Sequence, residues 1–133
     1  GGAPGVLLVD DDDDYREQLA MVLRRAGCRV RMAANGEQAL AQMALELPDL
    51  VLMDLVMPVM DGLAVIAVMR QSPALAAVQV VLVTAADVPA HTLRQLNERA
   101  VTLVRKAEVG LDHLVHRARD LLDRVQRSAG GLE

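Results

Sequence analysis

Four short, mostly apolar runs in this chain each lead into polar side chains that could bind or transfer a charged group. The runs are Val6–Val9, Leu50–Met53, Val78–Val83 and Val101–Val104. The polar residues that follow them are Asp10, Asp11, Asp54, Thr84 and Lys106. A short apolar run without alternation is typical of a strand that is covered on both faces. Parallel sheets keep their ligand sites outside the carboxyl ends of their strands, so these side chains would meet at one edge if the strands are neighbours.

Three carboxylates among these residues restrict the chemistry of such an edge. Asp10, Asp11 and Asp54 cannot share a small space unpaired, because like charges raise one another's pKa. A divalent cation would resolve this repulsion, and Mg²⁺ prefers carboxylates, waters and phosphate oxygens as ligands. The hydroxyl of Thr84 and the ammonium of Lys106 would then bind the remaining oxygens of a phosphoryl group.

Each of these residues also has a plainer interpretation. Asp54 could cap a helix or lie in a loop, and Lys106 could be an ordinary surface lysine. The run Asp10–Asp14 could form a solvated acidic loop, which is the interpretation we keep for Asp13 and Asp14. Only the combination of all the positions favours a chemical site over these alternatives.

Composition limits the class of protein. The 133 residues suit one domain with one core, and Tyr15 is the only aromatic residue, so the core must consist of aliphatic residues and methionine. A formal net charge of -4 provides no basic footprint for direct nucleic-acid binding. The single cysteine, Cys28, excludes an internal disulfide and a cysteine-rich metal site. No apolar run approaches the ~20 residues that span a bilayer and no signal peptide is visible, so we expect a cytoplasmic domain without membrane contact.

Strand and helix patterns alternate along the chain. Arg29–Ala33 adds a weakly patterned second strand, and apolar residues at helical spacing follow each of the five strands. Asp14 and Glu17 predict the start of the first helix as a variant of the capping box. Gly27 predicts its end, and Asn35 predicts the cap of the second helix. Five strands and five helices in alternation predict a doubly wound α/β sheet.

One domain accounts for this pattern. We assign residues 6–127 to it, and the small and polar residues 1–5 and 128–133 to a linker or cloning remnant. The last helix carries the apolar stripe Leu111–Val125. We interpret the stripe as core packing rather than as a dimer seam, because the helices of such sheets must bury one face.

The chain resembles the receiver domains of two-component response regulators, from about Val6 to Arg127. The residues that carry the resemblance are Val9–Asp11, Met53–Gly62, Val83–Ala85 and Lys106. Asp54 lies 43 residues after the second acid, 30 before the threonine and 52 before the lysine, spacings that fit the family. The resemblance implies a flavodoxin-like, doubly wound sheet of five parallel strands in the order 2-1-3-4-5 with five helices.

The resemblance also implies roles for the matching residues. Asp54 corresponds to the family's phospho-accepting aspartate, Thr84 to the hydroxyl that binds the phosphoryl group, and Lys106 to the lysine that pairs with it. The implied function is self-catalysed transfer of a phosphoryl group from a histidine kinase or phosphotransfer protein onto Asp54. With only slow autodephosphorylation afterwards, we expect a signalling domain and not an enzyme.

The magnesium ligands are likewise implied by the resemblance. Asp11 corresponds to a direct ligand and Asp10 to a ligand through water. The phospho-accepting Asp54 and the backbone carbonyl of Val56 complete the expected set of protein ligands.

Three departures from the family lie around the fifth strand. Ala107 stands where the family usually has a proline, so we expect a trans Lys106–Ala107 bond. Leu103 replaces the usual tyrosine or phenylalanine, and Arg99–Ala100 replaces a usual Gly-Ala pair. We therefore expect little change at Leu103 on phosphorylation, and signalling that depends more on Val88–Arg99 or on the last helix.

The resemblance also implies something about the lifetime of the phosphorylated form. In the family, the residues two positions past the phospho-aspartate and the threonine influence hydrolysis of the acyl phosphate. These are Val56 and Ala86 here, and neither can orient an attacking water by hydrogen bonding. We expect a comparatively long-lived phosphorylated form.

The expected partners are a histidine kinase or phosphotransfer protein, and an output domain or protein that contacts the face of helix four, strand five and helix five. A weak homodimer is compatible with the sequence. Two other functions stay open: a receiver fold used only for docking, without phosphorylation, and a phosphohydrolase of the haloacid dehalogenase type. The second would place its nucleophile after the first strand, whereas Asp54 follows the third.

Overall fold

The computed structural model describes residues 2–99 and 101–131. Five strands alternate with five helices along them. The strands are β1 Gly5–Val9, β2 Arg29–Ala33, β3 Leu50–Met53, β4 Gln79–Thr84 and β5 Thr102–Arg105. The helices are α1 Asp13–Arg25, α2 Gly36–Leu45, α3 Gly62–Gln71, α4 Ala90–Glu98 and α5 Leu111–Gly131.

All four strand pairs are parallel, and the strand order is β2-β1-β3-β4-β5. This confirms the predicted flavodoxin-like order. Met53, the last residue of β3, pairs with Val9 at the end of β1 and with Leu82 in β4. The carboxyl ends of the central strands are therefore level, and the residues that follow them start from one edge.

The two central strands are the most deeply buried part of the sheet. Val6–Val9 of β1 and all of Leu50–Met53 in β3 are buried, because helices cover both faces. Two apolar clusters fill the two layers, and leucine, valine, methionine, alanine and isoleucine form them without any aromatic ring in their buried parts. The residues of the α5 stripe that are fully buried in one of these clusters are Leu114, Val115, Ala118 and Leu122. The stripe is thus core packing at these positions.

The helix boundaries confirm most of the cap predictions and correct one. The Asn35 side chain accepts a hydrogen bond from the N–H of Gln38 at the start of α2, and Gly27 follows α1 with a φ of 91°, a conformation that glycine adopts without strain. The α1 cap, however, is Asp12 and not Asp14: its carboxylate accepts from the N–H of Tyr15. Asp14 lies inside the first turn because the connection after β1 is shorter than the sequence pattern suggested.

The ends of the chain differ from the assigned boundaries. β1 begins at Gly5, whose N–H donates to the Asp49 carboxylate at 2.7 Å. α5 continues to Gly131, through part of the segment assigned to a linker or cloning remnant. Gly1, Ala100, Leu132 and Glu133 lie outside the described residues. Within the described part of the chain, no helix combines the length and apolar character needed to span a membrane.

Candidate functional site

Two carboxylates stand side by side at the ends of the central strands. The N–H of Asp54 donates to the carbonyl of Val9 at 2.9 Å, and the N–H of Asp10 donates to the carbonyl of Ala33 at 3.1 Å. These bonds continue the sheet pattern past the strand ends and fix both backbones. Asp10 is 2% exposed and Asp54 is 8% exposed. Both acids are therefore held rigidly and with little water around them.

Asp11 completes a cluster of three acids at this edge. Asp10, Asp11 and Asp54 can each offer an oxygen such that all three atoms lie within 4.8 Å of one another. Asp11 is exposed, whereas the other two are buried, so the cluster opens to solvent on one side. Carboxylate oxygens in this number are the ligands that a hard cation such as Mg²⁺ prefers. The donor set fits the expected metal, and the three acids predicted from sequence are brought together.

Lys106, which follows the edge strand β5, extends its side chain to the same cluster. Its ammonium Nζ lies 2.7 Å from Oδ2 of Asp10 and 3.3 Å from Oδ2 of Asp54. The lysine follows β5, and its backbone N–H donates to the carbonyl of Thr84 at 2.8 Å. Its side chain is only 15% exposed. The structure thus places Lys106 beside the acids and largely withdrawn from solvent, and its role toward a phosphoryl group stays a prediction.

The acids and the lysine shift one another's pKa. Burial raises the pKa of Asp54, and the N–H of Val56, which donates to Oδ1 at 3.1 Å, together with the charge of Lys106, opposes this rise. Burial pulls the pKa of Lys106 down, but its hydrogen bond to Asp10 and the charges of both carboxylates outweigh it, so the pKa is raised. Lys106 therefore stays an ammonium at neutral pH, and its positive charge favours the ionised form of Asp54 against the effect of burial.

Thr84 ends β4 at the same edge and is 1% exposed. Because Met53 pairs with Leu82, Thr84 lies one residue beyond the position opposite Asp54. Its hydroxyl Oγ1 accepts a hydrogen bond from the N–H of Ala86 at 3.2 Å. The hydroxyl is thus held at the edge by the loop that follows its own strand.

The loop after Asp54 packs tightly against the site. α3 begins at Gly62, capped by the Asp61 carboxylate. A Cβ at Gly62 would lie 2.8 Å from the carbonyl oxygen of Asp54 and 3.1 Å from Cα of Leu55. Glycine is required here by the close approach of two backbones. The side chain of Val56 points largely into solvent, at 58% exposed, and the proposed role of its carbonyl as a metal ligand stays a prediction.

Sequence reasoning missed one residue of the site. The Tyr15 ring lies against Lys106, with the ammonium 4.1 Å from the ring centroid. Burial raises the pKa of Tyr15, the charge of Lys106 lowers it, and the charges of Asp10 and Asp54 raise it further. A signal was present in the composition: Tyr15 is the only aromatic residue, and Lys106 is the only lysine in a chain whose other basic residues at neutral pH are all arginines.

The region around β5 holds the three departures. Leu103 pairs with Leu82 and packs, partly buried, against the apolar core. The Lys106–Ala107 bond is trans, as predicted. Arg99 follows α4 as its C-cap, and Ala100 lies outside the described residues. The lysine is therefore aimed at the acids without a cis bond after it.

Residues 6–119 match the family model described as the response regulator receiver domain. The chain is 38% identical over 82 residues to the transcriptional regulatory protein AfsQ1 of Streptomyces coelicolor and 41% identical over 80 residues to the DNA-binding response regulator MtrA of Mycolicibacterium smegmatis. These matches cover 62% and 60% of the chain but only 35% and 34% of the relatives. The chain thus spans about a third of these regulators' length.

Solved structures agree with the fold. The signal receiver domain of a signal transduction histidine kinase from Syntrophus aciditrophicus superposes with a TM-score of 0.83 at 29% identity, covering 94% of each chain. A response regulator from Chloroflexus aurantiacus J-10-fl has a TM-score of 0.80 at 33% identity, covering 91% of this chain and 98% of its own.

Proposed function

We propose that this chain, which belongs to the response regulator receiver domain family, accepts a phosphoryl group on Asp54 and thereby changes the surface that it presents to an output partner. The observation that carries the proposal is the convergence of three acids and one ammonium from β1, β3 and β5 on one edge. A domain used only for docking has no need of this arrangement.

The residues support nucleophilic attack by Asp54 on phosphorus. A carboxylate oxygen forms the new O–P bond while the bond from phosphorus to its donor breaks, and the donor leaves with that electron pair. Val56 holds Oδ1 through its N–H, and Lys106 faces Oδ2. The ammonium supplies positive charge beside the oxygens of the group in transfer, where positioning and charge neutralisation provide most of the rate.

Asp10, Asp11 and Asp54 would hold Mg²⁺, and the family resemblance adds the carbonyl of Val56. The bound ion would supply positive charge against the carboxylates and the phosphoryl oxygens. The chain's own contribution is to keep Asp10 and Asp54 fixed and nearly dry through the backbone bonds that follow β1 and β3. Asp11, which is exposed, leaves the approach open to solvent and donor.

The donor would be a histidine kinase or a phosphotransfer protein, and we place the domain in the cytoplasm with such a partner. The output would be read at the face of α4, β5 and α5. The domain would turn over no further substrate beyond slow loss of its own phosphoryl group. The matched segment covers only about a third of the two relatives, and the output of this chain would be either an output domain or a separate partner protein.

Intact-mass spectrometry after incubation with acetyl phosphate and Mg²⁺ tests the proposal. The wild-type chain should gain the mass of one phosphoryl group, Asp54→Asn should gain none, and removal of the metal with EDTA should prevent the gain. Asp87→Asn, an exposed acid that follows β4, is the matched control and should label like the wild type.

Two other outcomes would contradict the proposal. An unchanged mass in the wild type, with the fold intact, would identify a docking module. Steady release of phosphate from several phosphate esters without any adduct would identify a phosphohydrolase.

A further inference from the structure

The only tyrosine of the chain, which has no phenylalanine or tryptophan, places its ring over the only lysine. Nζ of Lys106 lies 4.1 Å from the centroid of the Tyr15 ring, well within the distance of about 6 Å over which an ammonium is attracted to a ring face. Both side chains are partly withdrawn from solvent, which strengthens such a contact. The two residues are 91 positions apart, so this contact exists only because the fold brings α1 next to the turn after β5.

Tyr15 is itself fixed by the acidic loop. The N–H of Asp12 donates to Oδ1 of Asp10 at 2.9 Å, and the Asp12 carboxylate accepts from the N–H of Tyr15 at 3.1 Å. The ring then contacts Lys106, whose ammonium returns to Oδ2 of Asp10 at 2.7 Å. These four residues form a closed cycle of contacts, in which Asp12 holds the backbone of Tyr15 and Lys106 lies against its ring.

The Lys106 ammonium contacts Asp10, Asp54 and the ring of Tyr15, and phosphorylation of Asp54 would not affect these three contacts equally. The Asp10 carboxylate would also interact with the bound metal, and the Asp54 carboxylate would become an acyl phosphate. Both carboxylate contacts of Lys106 are therefore altered when the site is in use. Of these three contacts of the ammonium, the one with the ring of Tyr15 is the one that neither the metal nor the phosphoryl group would take over.

We propose that Tyr15 is a positioning residue for Lys106: its ring face keeps the ammonium at the edge of the site while the carboxylates are engaged elsewhere. This inference rests on the proposed phosphorylation of Asp54. The ring face, and not the hydroxyl, makes the contact, so phenylalanine should replace tyrosine and an aliphatic residue should not.

Phosphorylation rates in a double-mutant cycle test the inference. With acetyl phosphate and Mg²⁺, Tyr15→Leu should label about fivefold to tenfold more slowly, since loss of a desolvated contact of this kind is worth about 1 to 1.4 kcal/mol at 1.36 kcal/mol per tenfold in rate. Tyr15→Phe should restore the rate to within about twofold, because phenylalanine retains the ring face. In a Lys106→Met background, Tyr15→Leu should cause almost no additional slowing, because the residue acts through the lysine.

Nuclear magnetic resonance supplies a reading that does not depend on phosphorylation. Lysine-selective ¹³C labelling gives one lysine spin system, because Lys106 is the only lysine. Its ε-methylene protons should lie upfield of the unfolded-chain position in the wild type and in Tyr15→Phe, through the ring current. They should lose that shift in Tyr15→Leu. Tyr15→Met serves as a second aliphatic variant if Tyr15→Leu unfolds, and thermal unfolding of each variant verifies the fold.

The outcomes separate the two claims. A wild type that takes up no phosphoryl group while its lysine shows the ring-current shift would overturn the proposed function. A wild type that labels normally would overturn the inference if Tyr15→Leu labelled as fast, or if the slowing were equal with and without Lys106. Absence of the ring-current shift in the wild type would overturn the inference as well.

Discussion

The centre of the sheet and its β5 side differ in strand pairing and in burial. β1 and β3 each pair with a neighbour on both sides, and nearly all of their residues are buried. β5 is an edge strand that pairs only with β4, and of its four residues only Val104 is fully buried. The acids follow the central strands, whereas the three departures from the family lie around the edge strand. The three acids of the proposed site thus follow buried strands that pair on both sides, whereas Lys106 follows the edge strand.

The helix starts show the same contrast. The helices that follow the three strands β1, β2 and β3 begin with side-chain caps: Asp12, Asn35 and Asp61. The N-cap residue of α4 is Pro89, which makes no side-chain cap bond. A cap of this kind is worth about 1 kcal/mol, so α4 lacks a restraint that the other three helices have. We therefore expect the segment around α4 and β5 to move more readily than the capped helices that follow β1, β2 and β3.

Breaking the acidic centre should have the largest effect. Asp11→Ala removes a proposed metal ligand but leaves the hydrogen bonds of Lys106 to Asp10 and Asp54 intact. We expect phosphorylation by acetyl phosphate to slow at least about 100-fold, because a metal supplies several kcal/mol of charge stabilisation in such a transfer. The measurement is the labelling rate at fixed Mg²⁺ concentration.

The acidic run contains its own control for that experiment. Asp14→Ala removes an exposed acid of the same type, three residues along the chain, and should label within about twofold of the wild type, since we assign it to solvent. Equal slowing in both variants would mean that the run acts through its overall charge and not through a metal site.

The close packing of Gly62 against the backbone of Asp54 can be disrupted by a second substitution. Gly62→Ala places a methyl group 2.8 Å from the Asp54 carbonyl oxygen, and backbone there cannot yield easily. We expect the free energy of unfolding to fall by about 1–3 kcal/mol, as for other overpacked sites. Urea denaturation measures this, and the labelling rate should fall together with it because the backbone of Asp54 is displaced.

Gly110→Ala is the matched control, because a methyl group added at Gly110 would meet no atom within 4 Å beyond its chain neighbours in the described part of the chain. Its stability should change by no more than about 0.5 kcal/mol. A Gly62→Ala protein as stable as the wild type would show that the centre is looser than the contact distances indicate.

Substitutions at Val56 and Ala86, which we call the rim of the site, should have a smaller effect. They should change only the lifetime of the phosphorylated form. Val56 and Ala86 carry no group that could orient water, so the acyl phosphate should be long-lived. Ala86→Glu adds a carboxylate that can position a water and should change the lifetime severalfold. The measurement is the decay of the phosphorylated mass after removal of acetyl phosphate.

Ala90→Glu, an exposed substitution of the same kind at the start of α4, should leave that lifetime near the wild-type value. Decay of the wild type within seconds, or an equal change in both variants, would contradict the role assigned to the rim.

Sequence sufficed for the strand order and for the polar residues at the strand ends, but not for all the contacts around them. Continuous apolar runs located the central strands, and the polar residues after them, Asp10 and Asp54, do meet, because parallel strands end level. The α1 cap was misplaced because five consecutive aspartates offer several equivalent caps, and only the length of the loop selects Asp12. The contact of Tyr15 with Lys106 could not be predicted from spacing, since the two residues are 91 positions apart and only the fold brings them together.

The central claim is that a fixed centre performs the chemistry while the α4 side responds. Amide hydrogen exchange with and without beryllofluoride, a phosphoryl mimic, tests it directly in the presence of Mg²⁺. We predict altered protection at Thr84–Ala90 and through α4, with little change across Val101–Arg105, because Leu103 offers no large ring to relocate. A change across Val101–Arg105 as strong as that at Thr84–Ala90 would contradict the account.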